Sequence, residues 1–165
     1  MSKRAGTGFT IEDLVKITSS DIVRYFMASK AVTSNFSFDV EKLKEKTNDN
    51  PLFSIQYSNV RAKSILKKTL IKELCFEGVY SKKETDLINH LMKFGEKILY
   101  VANKHKVHVI PTYMLELSSL FNTFYADNKI IGNPREEFIL PIVKLFNNVI
   151  DKCLELMGLT SPEKI

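Results

Sequence analysis

At 165 residues, 44% of them hydrophobic and 26% charged, the chain is long enough to bury a core without a disulfide or metal staple. No apolar run approaches the roughly 20 residues that cross a bilayer, and Lys3-Arg4 leads into Ala-Gly-Thr-Gly instead of the apolar stretch of a secretory signal, so a membrane partner is excluded and a cytoplasmic location is expected. Lys and Arg outnumber Asp and Glu by 24 to 19, a net charge of +5, which fits a polyanionic partner and equally a uniformly solvated lysine-rich surface.

Met1 to Gly8 holds two glycines and no apolar period, and reads as a loop. Thr10 followed by Asp13 predicts a capping box that opens a short helix, and Ser20 with Ile22, Val23, Tyr25, Phe26 and Ala28 begins a second. Together they make a small N-terminal helical unit. In Asn35 to Val40 the aromatic residues Phe36 and Phe38 alternate with polar ones, a pattern read here as an extended connector.

Four longer helices follow, at about 50–76, 83–103, 111–128 and 134–158. The second carries Leu87, Leu91, Phe94, Ile98 and Val101 on one stripe. The third carries Met114, Leu117, Phe121 and Tyr125, and the last Ile139, Ile142, Phe146, Val149, Cys153 and Leu156. Asn133-Pro134 looks like an N-cap with proline at the first helical position, and Pro141 is expected to kink or restart the helix. The connections are short enough to make sequential helices antiparallel neighbours. The fold class is therefore all-α, a helical bundle preceded by a small helical unit.

The helix at about 50–76 is the most informative. At 100° per residue Ser54, Tyr57, Arg61, Ser64, Lys68 and Lys72 share one arc, while Ile55, Ala62, Leu66 and Leu70 fall on the opposite face. An aromatic ring, a guanidinium and two ammonium groups in line can stack unpaired bases and neutralise the neighbouring phosphates. A merely solvated helix face accounts for the spacing as well. Cys75 and Cys153 lie far apart among apolar residues, which favours reduced, buried thiols. His105 and His108 lack a third ligand of suitable type nearby, so no metal site is expected.

Several segments, in order, resemble the C-terminal part of class I arginyl-tRNA synthetases. Met1-Ser2-Lys3-Arg4-Ala5-Gly6 looks like the end of that family's "KMSKS" loop without its leading lysine. Ser19 to Lys30 resembles the segment after which the family's DALR anticodon-binding domain is named, with Asp21-Ile22-Val23-Arg24 at the four positions. Phe38 to Leu66, Tyr113 to Tyr125 and Leu156 to Ile165 resemble the remaining segments, so the likeness covers the whole chain.

That resemblance implies an arginine–tRNA ligase that attaches arginine to tRNA(Arg) using ATP with Mg2+. Its end of the ATP loop and helical connector, with a stem-contacting unit, would occupy 1–48, and its anticodon-binding bundle 49–165. Ser2 and Lys3 would belong to the ATP loop, Lys3 offsetting charge on the leaving pyrophosphate. Tyr57, Arg61, Tyr125 and Ile165 would contact tRNA, with Lys68 on the phosphates. Ser54 and Asn59 replace the family's usual tyrosine and histidine, which implies a lost stacking contact. The partners would be tRNA(Arg) and an upstream catalytic domain of the same chain, in a monomer. The chain alone is expected to bind no cofactor and to be non-catalytic. A self-standing interaction bundle, or a related domain of a glycyl enzyme, are the alternatives.

Overall fold

The computed structural model describes residues 10–33, 47, 49–71, 75, 77–127 and 129–165. Regular structure among them is helical throughout, as the patterning predicts: α1 (Ile11–Ile17), α2 (Ser20–Ala28), α3 (Pro51–Lys68), α4 (Lys82–Met92), α5 (Phe94–Lys104), α6 (Val109–Asp127) and α7 (Glu136–Leu156). No helix among the described residues is long and apolar enough to cross a membrane. Ser2, Lys3, Lys72 and the 35–40 connector lie outside the described residues.

The capping box before α1 is present. Asp13 N–H donates to Thr10 Oγ1 at 3.1 Å and Thr10 N–H donates to Asp13 Oδ2 at 3.0 Å, satisfying two donors the helix start would otherwise strand. Thr10 Oγ1 also donates to Asp13 Oδ2 at 2.7 Å, and this bond first, with the one from Thr10 N–H, holds the Asp13 carboxyl below its ordinary range. Tyr25 on α2 is buried in the same core as the bundle, so this small unit is fused to the larger one by packing. Gly158 takes φ 63°, a left-handed conformation that favours glycine, with the end of the Arg24 side chain packed over it.

α3 starts where Asn50 Oδ1 accepts from the N–H groups of Leu52 and Phe53, with Pro51 at the first helical position. It stops at Lys68, earlier than the apolar period suggests. Thr69 takes extended geometry, donates from Oγ1 to the buried Glu136 Oε1 at 2.6 Å and accepts from Ile71 N–H. A tertiary hydrogen bond to a carboxylate thus outweighs a helical propensity of only tenths of a kcal/mol per residue. In consequence Leu70 is 93% exposed, not buried as expected.

The expected helix at about 83–103 is two helices, α4 and α5, meeting at Lys93. Its apolar stripe survives the break: Leu87 and Leu91 are buried and Phe94, Ile98 and Val101 pack against the core. Tyr113 OH donates to the His90 carbonyl at 3.2 Å, occupying an acceptor at the end of α4. α7 begins at Glu136, after an Asn133 side chain that accepts from Arg135 N–H. The helix runs on through Pro141 without a restart. The carbonyl of Glu137, which proline deprives of its helical donor, accepts instead from Cys75 N–H at 3.1 Å.

The core is made where α3, α6 and α7 meet, with Ile55, Ala62, Met114, Leu117, Phe121, Ile139 and Phe146 all at 0% exposure. Phe121 and Phe146 stack with centroids 3.9 Å apart. Cys153 is buried there as expected, and its burial pushes the thiol up to about 12. Cys75 is only half buried.

Candidate nucleic-acid interface

Tyr57 and Arg61 lie one turn apart on α3, and Tyr125 faces them from α6. The guanidinium carbon of Arg61 sits 4.7 Å from the Tyr57 ring centroid and 4.5 Å from that of Tyr125. Arg61 Nη1 also donates to Asn122 Oδ1 at 3.1 Å. Each cation–π contact is worth about 0.5–1 kcal/mol at such partly exposed sites, and the charge-assisted hydrogen bond about 1.5–3 kcal/mol. Together they exceed the roughly 2 kcal/mol of rotamer entropy an arginine carries, so the guanidinium is ordered before any ligand arrives. Phe53 stacks against Tyr57 at 6.0 Å on one side of this ladder, and Phe121 against Tyr125 at 6.3 Å on the other. Phe121 in turn anchors the ladder to the core.

A cleft of about 240 Å3 opens beside the ladder, lined by Tyr57, Val60, Arg61, Ser64, Ile65, Lys68, Tyr125 and Ile131. The structure therefore gathers Tyr57, Arg61, Lys68 and Tyr125 at one place. Tyr57 is 40% exposed and Lys68 projects into solvent. Tyr125, on the apolar stripe of α6, packs against the core and still turns its ring to the guanidinium. Ile165 is exposed at the chain end and does not line the cleft. Sequence reasoning missed Phe53, readable in hindsight as an i, i+4 aromatic neighbour of Tyr57, and Asn122, whose pairing with Arg61 spans too much chain to be visible.

On the adjoining flank of α3 the C-terminal tail is held down. Gln56 Nε2 donates to the Thr160 carbonyl at 2.9 Å. Lys63 Nζ donates to Ser161 Oγ at 2.8 Å and to Glu163 Oε1 at 3.0 Å, and Lys67 donates to the other Glu163 oxygen. These two ammonium groups, Lys67 first, hold the exposed Glu163 carboxyl down to about 2. From the far side Asp21 Oδ2 accepts from Thr160 N–H at 2.8 Å.

Asn59 is no vacant stacking position. It is fully buried, its Nδ2 donating to Asp151 Oδ1 at 2.7 Å and Ser161 Oγ at 3.1 Å while its Oδ1 accepts from Asn147 Nδ2 at 2.8 Å. It joins α3, α7 and the tail. His90 stacks on Tyr113 at 4.9 Å, and burial lowers its pKa. Among the described residues no three His, Cys, Asp or Glu side chains are placed to hold a metal ion.

An aromatic and guanidinium ladder with an ammonium beside a cleft is a geometry for stacking planar, anionic ligands. Residues 55–165 match the model of the DALR anticodon binding domain. The chain belongs to that family. The match begins after Asp21–Arg24, the segment read above as the name positions. Along its whole length the chain is 38% identical to an arginine–tRNA ligase of Mesomycoplasma hyopneumoniae and 32% identical to that of Bacillus licheniformis, and it spans 31% of each. Among solved structures, an arginyl-tRNA synthetase from Campylobacter jejuni superposes over 99% of this chain and 37% of its own, with a TM-score of 0.89 at 24% identity. The Plasmodium falciparum arginyl-tRNA synthetase does so over 94% of this chain and 28% of its own, with a TM-score of 0.78 at 25% identity. This DALR chain thus spans about a third of the curated relatives it matches.

Proposed function

We propose that this DALR chain is the part of an arginine–tRNA ligase that recognises the anticodon of tRNA(Arg). The observation that carries the reading is the Arg61 guanidinium fixed between the rings of Tyr57 and Tyr125 at the edge of a cleft that also holds Lys68. Unpaired loop bases are bound by stacking on such planes, at about 1–3 kcal/mol per base. The exposed Lys68 meets the phosphate backbone, which orients the RNA without reading its sequence. Ile165 lies at the end of a tail fastened to the neighbouring flank of the same helix, and contributes an apolar contact.

In the longer enzyme an upstream catalytic domain of the same chain activates arginine with ATP and Mg2+, and Ser2 and Lys3 complete its ATP loop. The division at about 48 between connector and bundle, a cytoplasmic location and a monomeric state belong to the same reading. The test is binding of this chain to the anticodon stem-loop of tRNA(Arg) against one with a changed middle anticodon base, at two salt concentrations. Preference for the arginine anticodon supports autonomous recognition. Salt-sensitive binding without preference places the specificity in contacts with the catalytic body, and no binding at either salt refutes the reading.

A further inference from the structure

Arg61 lines the cleft, and Asn122, which accepts its hydrogen bond, lines a second hollow. This groove, of about 640 Å3, lies against α6 and takes in residues near the starts of α3 and α4, with Ser54, Lys83, Ser119, Asn122, Thr123 and Asp127 among its lining residues. Its size falls within the roughly 300–1,000 Å3 of small-ligand sites. Lys83 and Asp127 pair with each other, and Thr123 Oγ1 is spent on the Ser119 carbonyl at 3.0 Å. The Ser54 and Ser119 hydroxyls and the Asn122 Nδ2 group form no hydrogen bond among the described residues.

The orientation of Asn122 is forced. A guanidinium has donors and no acceptor, so the amide oxygen must face Arg61 and the two N–H donors of Nδ2 remain for the groove. An unconstrained asparagine reads adenine with both ends of its amide, oxygen to the 6-amino group and nitrogen to N7. Here the oxygen is already used.

We propose that this groove is a second nucleobase subsite, which takes an unpaired RNA base next to the one at the Tyr57–Arg61–Tyr125 ladder and selects an acceptor-bearing edge through the Asn122 amide N–H groups. The inference rests on the RNA-binding reading above and adds the chemistry of choice. A guanine O6/N7 edge or a pyrimidine carbonyl satisfies Asn122. Adenine brings an amino donor against donors and leaves groups unpaired. The serine hydroxyls, which donate or accept, complete either pattern.

The experiment measures binding to a set of anticodon stem-loops in which each loop base in turn is adenine, for the wild-type chain, Asn122→Asp and Ser119→Leu, each checked for native helicity by circular dichroism. The expected result is one loop position at which adenine weakens wild-type binding about tenfold, the scale of one base-edge contact. Asn122→Asp keeps one oxygen on Arg61 and turns the other to the groove, so the penalty at that position disappears or reverses. Ser119→Leu fills the groove and removes discrimination at that position alone. Identical base profiles for all three proteins, or a uniform weakening by Asn122→Asp at every position, would overturn the subsite while leaving the ladder as the RNA site if Tyr57→Ala still weakens binding. Failure of the wild-type chain to bind any stem-loop overturns the RNA-binding reading and the subsite with it.

Discussion

Replacing Asn59 by alanine deletes three hydrogen bonds at a site of 0% exposure: to the Asp151 carboxylate, to Ser161 and from Asn147. A bond to a charged group contributes about 1.5–3 kcal/mol and a neutral one about 1 kcal/mol. Asp151 keeps Ser161, Asn147 and Lys63 as partners in the variant, so the cost is that of the three lost bonds. The expected loss is about 3–5 kcal/mol, from a stability of roughly 5–15 kcal/mol for a domain of this kind. At about 2–4 °C per kcal/mol the melting temperature falls by roughly 10 °C or more. In urea, with a slope of about 1–3 kcal/mol per molar, the midpoint moves down by about 2 M. Far-UV circular dichroism follows both transitions. Asn148→Ala, at the exposed position beside Asn147, is the control and is expected to stay within about 0.5 kcal/mol. A loss below about 1 kcal/mol for Asn59→Ala would show that the tail and α7 hold without it, and would refute the assignment of Asn59 as their junction.

Tyr57→Ala and Arg61→Ala in the longer enzyme are expected to raise KM for tRNA by about 5- to 150-fold, from about 1–3 kcal/mol per lost stacking contact, with KM for arginine and ATP little changed; equal effects on all three count against the interface. Lys68→Ala is expected to reduce the salt dependence of RNA binding by about one phosphate contact without changing which anticodon is preferred, and an unchanged slope removes Lys68 from the site. Native chain treated with an alkylating agent is expected to react at Cys75 and not at Cys153, whose thiol is buried and held up at about 12; equal labelling would mean that the core opens on the time scale of the reaction. Because the folded pKa of Glu163 is depressed from 4.5 to about 2, its contribution is full above about pH 4.5 and is lost as pH falls towards 2. Glu163→Gln therefore exposes the tail to carboxypeptidase at pH 7, and equal digestion of variant and wild type would show that the tail does not depend on this pair.

Local chemistry determined a great deal. The capping box at Thr10 and the stripes of Leu87, Leu117 and Phe146 depend on neighbours within a turn or two, and each stands in the structure as the sequence predicts, whereas the Asn133-Pro134 start does not, the last helix beginning two residues later at Glu136. Tyr57 and Arg61 share a face for the same reason, since one helical turn separates them.

Contacts between distant segments decided the rest. α3 ends at Lys68 because Thr69 reaches Glu136, and Pro141 is tolerated because Cys75 supplies a donor to the carbonyl it strands. The same holds for the site. Its outward stripe was legible and the family resemblance named Tyr125, whereas the placement of the Tyr125 ring on Arg61, the Asn122 bond that orders Arg61 and the burial of Asn59 depend on how α6, α7 and the tail are placed against α3. Periodicity states which way a residue points on its own helix. What it meets there is set by packing between segments far apart in the chain, whose pairing energies a single sequence does not display.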